Sequence, residues 1–141
     1  MSDRPVNDRV RDAMVPAPVA LDGSDTAQEA GRRLVPPGVR AVLVCDEGRL
    51  TGVVTRKTLV REVVASGKDP ASTRLADIAE PPVHVLQADT LLDDAFRDLE
   101  QRDLERVPVV EHGMLVGVLS RSGVRRRLAE DEPPRDDDAT L

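Results

Sequence analysis

The stretch Gly48-Arg49-Leu50-Thr51-Gly52-Val53-Val54-Thr55-Arg56 returns about 65 residues later as Gly113-Met114-Leu115-Val116-Gly117-Val118-Leu119-Ser120-Arg121. The spacing of Gly, Leu, Gly, hydroxyl and Arg is kept without a gap. The flanks agree too: Ala30 matches Ala95, Arg32 matches Arg97 and Leu34 matches Leu99. A repeat in register is first a statement of architecture, since the chain is then two copies of one unit. Halves of about 60 residues are marginal alone, so the copies are expected to share a core.

Working outward, each copy reads as strand, helix, strand, strand, helix. In the first, a short helix from Val10 to Met14 stops at Pro16, and Val19-Ala20-Leu21 is a brief strand. Thr26-Ala27-Gln28-Glu29 has the form of a capping box opening a helix that ends at Pro36-Pro37-Gly38. Ala41–Cys45 and Leu50–Thr55 suit a hairpin turning at Asp46-Glu47-Gly48. The next helix is expected to turn Leu59, Val60, Val63 and Val64 inward and to stop at Gly67. In the second copy a short helix lies around Leu75–Ile78, followed by a strand at Val83-His84-Val85-Leu86. Thr90-Leu91-Leu92-Asp93 repeats the cap pattern, with Leu91, Leu92, Ala95, Phe96 and Leu99 on one helical face. Arg106–Val110 and Met114–Leu119 form the second hairpin, where Pro108 implies an edge or a bulge. A last helix covers Ser122–Ala129. In each copy the helix crosses over, so its flanking strands lie parallel and the hairpin adds an antiparallel strand.

The fold class is therefore α/β, α+β in detail, with these expected boundaries: a flexible N-terminus at 1–7, a first repeat at 8–66, a linker at 67–72, a second repeat at 73–129 and a disordered acidic tail at 130–141. The tail holds six acids against Arg135, so most of the formal charge of −6 lies there. A nearly neutral body and one aromatic residue, Phe96, argue against nucleic-acid binding. Cys45 is the only cysteine, which excludes an intramolecular disulfide. No apolar run approaches a membrane span or a signal peptide, so a cytoplasmic location is expected.

Met14-Val15-Pro16-Ala17-Pro18-Val19, Arg106-Val107-Pro108-Val109-Val110 and the two Gly-x-Leu-x-Gly-x-x-Thr/Ser runs together resemble a tandem pair of cystathionine β-synthase (CBS) domains, a Bateman module, over about residues 8–129. The resemblance implies a regulatory module that binds AMP, ADP, ATP or S-adenosylmethionine in clefts between the repeats, requires no cofactor and pairs as a homodimer. It places Val19, Ala20, Val42, Gly52, Thr55, Arg56, Thr58, His84, Val107, Pro108, Gly117, Ser120, Arg121 and Gly123 at those clefts. In the family pattern Gly-x-x-Thr/Ser-x-x-Asp, the hydroxyl faces phosphate and the Asp grips the ribose hydroxyls. Thr55 and Ser120 keep the hydroxyl, whereas Thr58 and Gly123 stand in place of the Asp.

Two functions stand side by side on this reading. The retained hydroxyls and arginines favour a sensor of an adenosine-containing ligand that signals to a partner protein. The absent aspartates favour a ligand-independent dimeric scaffold. Catalysis is not expected, because no nucleophile and base set is recognisable. Two distant histidines and one cysteine give no metal-ligand spacing. His84 is expected in a strand beside the second cleft, His112 at a surface turn, and Arg125-Arg126-Arg127 on a solvated helix face.

Overall fold

The computed structural model describes residues 8–16 and 19–130, with no side-chain detail at 128–130. The expected flexible N-terminus, most of the expected acidic tail, and Ala17 and Pro18 lie outside the described residues. Among the described residues fourteen elements follow in chain order. They are α1 (Val10–Ala13), β1 (Val15–Pro16), β2 (Ala20–Asp22), α2 (Ala27–Arg33), β3 (Ala41–Asp46), β4 (Arg49–Thr55) and α3 (Arg56–Leu59), which widens into a π-helical turn at Val60–Val64. A 3-10 turn at Leu75–Asp77 comes next, then β5 (Leu86–Gln87), α4 (Leu92–Arg102), β6 (Arg106–Glu111), β7 (Met114–Ser120) and α5 (Arg121–Glu130).

The chain forms two compact units, a middle one of residues 19–83 and a terminal one that joins residues 84–130 to the N-terminal segment. In the middle unit β2 runs parallel to β3 and β3 antiparallel to β4. Glu80 forms an isolated antiparallel bridge with Val53 of β4. The terminal unit repeats this with β5 parallel to β6, β6 antiparallel to β7, and β1 antiparallel to β7. Each unit has its own apolar centre. Leu21, Ala30, Leu34, Val44, Val54, Val63 and Leu75 meet in the middle unit. Val10, Leu92, Ala95, Leu99, Val107, Leu119 and Val124 meet in the terminal one.

Both hairpins close on two residues of positive φ, Glu47 and Gly48 (50° and 82°) and His112 and Gly113 (54° and 82°). That is the turn whose twist matches paired strands, and Gly takes its second position without a Cβ clash. The repeated Gly-x-x-Thr/Ser has a different cause. A Cβ on Gly52 would lie 2.8 Å from the Glu80 carbonyl and 2.9 Å from Ala79 Cβ. On Gly117 it would lie 2.6 Å from Met14 Sδ and 2.8 Å from the Val15 carbonyl. In each unit a neighbouring chain crosses the strand too closely for a side chain.

Several local expectations are corrected. Thr26 accepts from the Glu29 amide at 3.2 Å, but the Glu29 carboxylate turns forward to Arg32 and Arg33, so half of the capping box forms. Thr90 does not cap α4. The cap position is Leu91, without a side-chain bond, and the Leu92 amide instead donates 2.8 Å to the Asp8 carbonyl. The Ala27 amide donates to the Thr73 carbonyl in the same way. The first orphan donor of each helix is thus met by backbone from a distant segment, and at α2 the Thr26 hydroxyl meets a second one. Val60 and Val64 do not turn inward; they lie 58% and 72% exposed, one residue round the helix from Leu59 and Val63. The strand expected at 83–86 shrinks to Leu86–Gln87. Ladder shifts fall at Val109/Val110 and, equally, at Val44/Cys45, where Leu43 takes the place of Pro108. Pro108 is therefore not the cause of the bulge.

Candidate functional site

In both units the last strand of the hairpin ends in a hydroxyl residue that opens a helix. Thr55 Oγ1 accepts from the Thr58 amide at 3.2 Å, and the Thr55 amide donates to Thr58 Oγ1 at 3.1 Å. This is a reciprocal cap made of two threonines. Thr58 is fully buried, and its hydroxyl donates 2.6 Å to Glu80 Oε1. Arg61 Nη2 meets the same oxygen at 3.0 Å. The Thr58 hydroxyl, then Arg61, hold the Glu80 carboxyl below the usual carboxylate range. The Arg56 guanidinium donates to the Leu34 and Pro36 carbonyls at the end of α2.

The terminal unit is simpler. Ser120, buried, accepts from the Gly123 amide at 2.8 Å. The carboxylate partner is missing, because Val15 holds the place on the crossing chain that Glu80 holds in the middle unit. Arg121 reaches Glu105 at 3.6 Å and Asp103 at 3.8 Å. Its amide donates 2.7 Å to the Glu105 carbonyl.

The other expected positions scatter by unit. In the middle unit Val19 is 73% exposed, Ala20 is half-buried in β2, and Val42 is buried opposite Val54. In the terminal unit Val107 and Pro108 are buried opposite Leu119 and Val118. Gly52 and Gly117 serve the close crossings described above. His84 is not in a strand. Its Nε2 lies 2.5 Å from Asp98 Oδ2 on α4, and Arg102 Nε holds Oδ1 at 2.9 Å. Arg102 first, and His84 second, lower the Asp98 carboxyl. From the basic run, Arg125 covers the Phe96 ring at 5.8 Å and Arg127 faces Asp8 at 3.5 Å. Burial, with a smaller contribution from Asp22, pushes the Cys45 thiol up. Among the described residues no group of three or more His, Cys, Asp or Glu is placed to hold a metal ion. None of their helices is long and apolar enough to cross a membrane.

Sequence reasoning missed two residues. Glu80 reaches Thr58 from 22 positions away, and no motif joins them. Arg106 was within reach: counting back from the turn pairs it with Ser120. Its Nε is shielded from solvent without a hydrogen-bond partner.

Two mixed α+β units, each with a hydroxyl-capped helix after a Gly-crossed hairpin, define a tandem-repeat module. The CBS domain family matches residues 10–65 and 75–130, and the chain belongs to it as a tandem pair. It is similar to Hypoxic response protein 1 of Mycobacterium tuberculosis, 25% identical over 121 residues that cover 85% of each chain. A crystal structure of Hypoxic Response Protein I with two coordinated zinc ions superposes with a TM-score of 0.70 at 22% identity, covering 85% of this chain and 98% of that one. A structure of CBSX2 in complex with AMP gives a TM-score of 0.67 at 27% identity, covering 87% and 97%.

Proposed function

We propose that this chain is a cytoplasmic sensor that binds an adenosine-containing ligand at its strand-to-helix junctions, as a homodimer, and passes the bound state to a partner protein. Regulation, rather than catalysis, is the role. The observation that carries the reading is the AMP complex of the similar CBSX2, which spans nearly the whole of both chains. Within this chain the hydroxyl caps Thr55 and Ser120 are retained, and the half-buried Arg106, whose Nε is shielded from solvent, lies across the ladder from Ser120. AMP, ADP, ATP and S-adenosylmethionine share the adenosine that such a site would grip. Pairing is supported by the exposed Val35, Val60 and Val64 and by an apolar cleft of about 340 Å³ lined by Ala27, Gly31, Leu59 and Val63.

A second reading, the ligand-independent dimeric scaffold, is favoured by one observation: in the terminal unit Gly123 brings no side chain where the family pattern carries an Asp, and Val15 brings no charge where the middle unit has Glu80. A thermal-shift panel of AMP, ADP, ATP and S-adenosylmethionine tests the first reading. Ligand held at about a hundred times its Kd adds roughly 2.7 kcal/mol to the folded state and a matching rise in Tm. A flat response across the panel at millimolar ligand would favour the scaffold.

A further inference from the structure

We propose that the middle unit carries a second ligand pocket, at the turn end of the β3–β4 hairpin, that takes a small molecule with a guanidinium group, of which arginine is the simplest. The inference is independent of the adenosine-binding reading, because Thr55 closes the opposite end of β4.

The cavity holds about 350 Å³, and Asp22, Asp46, Thr51, Arg74, Ala76 and Ala79 are among the residues that line it. That volume falls within the range of small-molecule sites. Backbone fixes its walls. The Gly23 amide donates to the Cys45 carbonyl at 3.0 Å, and the Ala76 amide donates to the Gly23 carbonyl at 2.9 Å. The terminal unit makes the same two bonds, from Ala88 to Val110 and from Arg11 to Ala88, each at 3.0 Å. The two places therefore correspond side chain by side chain in the 65-residue register.

In the terminal unit the chain fills this place itself. Arg11, where the middle unit has Ala76, donates 3.2 Å to Glu111, where the middle unit has Asp46. Met14 stands for Ala79 and Val116 for Thr51, and both pack on the apolar centre. In the middle unit the two alanines leave that room open, and Asp46 meets no cation among the described residues. A second acid joins it, since Asp22 stands where the terminal unit has Gln87. The Ser24 amide and hydroxyl donate to Asp22 Oδ1 at 2.9 and 2.8 Å. They hold that carboxyl below the usual range, so it is ionised at neutral pH. What the middle unit lacks is the cation, and the terminal unit shows a guanidinium in that position, the group whose planar fork suits carboxylates. Arg74 supplies the opposite sign. Its Nε lies 3.6 Å from Asp77 Oδ2, outside hydrogen-bond range, so its donors are available to a ligand carboxylate. A molecule with a guanidinium at one end and a carboxylate at the other satisfies both.

The test is an NMR titration of the isotope-labelled full chain with L-arginine, citrulline and agmatine. Arginine should shift the Gly23, Ser24 and Ala76 amides saturably, with a Kd on the order of a millimolar. Citrulline, which keeps the shape without the charge, should bind about fivefold more weakly, as should arginine to Asp46→Asn; that is the upper end for an exposed ion pair expressed as affinity. Agmatine lacks the carboxylate and should also bind more weakly than arginine; equal binding overturns the part given to Arg74. Ala76→Arg supplies the guanidinium that Arg11 supplies in the terminal unit, and it should abolish arginine binding. Both variants are first shown by their melting curves to be folded. Absence of saturable shifts in the wild type, equal affinity for arginine and citrulline, or unchanged arginine binding in Ala76→Arg overturns the proposal. AMP takes no part in the titration, so none of these outcomes bears on the adenosine-binding reading.

Discussion

The two strand-to-helix junctions share one backbone plan and differ in what they put at two points. In the middle unit Thr58 and Glu80 occupy them and are joined by a 2.6 Å hydrogen bond. In the terminal unit the same points hold Gly123 and Val15, so the cap is a single Ser120 bond of 2.8 Å. A repeat preserves what the fold needs, namely the crossing glycine and the capping hydroxyl, and it is free elsewhere. The polar pair is present in the copy where two elements meet, through Thr58 and Glu80.

The largest expected effect breaks what the junctions share. Gly52→Ala and Gly117→Ala each force a Cβ against a carbonyl at 2.8 Å. Overpacking of this kind costs about 1–3 kcal/mol. Gly52→Ala should lie at the upper end, because its second obstacle, Ala79 Cβ, has no rotamer to change, whereas Met14 beside Gly117 can swing. Urea unfolding of both variants checks this, and equal midpoint losses would remove the distinction.

The next prediction sharpens what differs. Gly123→Asp places a carboxylate on the third residue of α5, where helical backbone accepts it and the helix dipole favours it. AMP affinity should rise about tenfold by calorimetry. Thr58→Asp should bring no gain, because it sets a second acid against Glu80, and it should lower the melting temperature at pH 7 more than at pH 4, where protonation relieves the repulsion. A gain from Thr58→Asp would show that repulsion from Glu80 does not govern the junction.

Much of the fold was legible in the sequence because its signals are local. The turns needed Gly48 and Gly113, the strands needed β-branched runs, and the 65-residue register needed only counting. The Thr26 cap of α2 was legible, whereas the backbone acceptors that meet the first amides of α2 and α4 were not. Those carbonyls belong to Thr73 and Asp8, which are remote in sequence and follow the same register. Thr90 had the right chemistry one position too early; the register aligns Leu91 with Thr26. The site was half legible for the same reason. Thr55 and Ser120 announce themselves by spacing, while Glu80 is brought in by a crossing chain. His84 read as a strand residue until its contact with Asp98 gave it another partner.

The smallest effect concerns that contact in the terminal unit. Arg102 and His84 hold the Asp98 carboxyl below its ordinary value, so its stabilisation is present above the usual carboxylate pKa and is lost as pH falls through the lowered one. Asp98→Asn should therefore lose stability at pH 7 and converge on the wild type as pH falls through the lowered Asp98 pKa. Urea midpoints across that range decide it, and a constant offset down to pH 2 would mean that packing, not charge, is what the substitution removes.

The central claim is that the middle-unit junction is the better ligand site. Calorimetric titration of AMP into the wild type, Thr55→Val and Ser120→Ala tests it most directly. The account predicts that Thr55→Val, which dismantles the Thr55–Thr58–Glu80 arrangement, removes most of the binding, and that Ser120→Ala removes little. Greater loss from Ser120→Ala would contradict it.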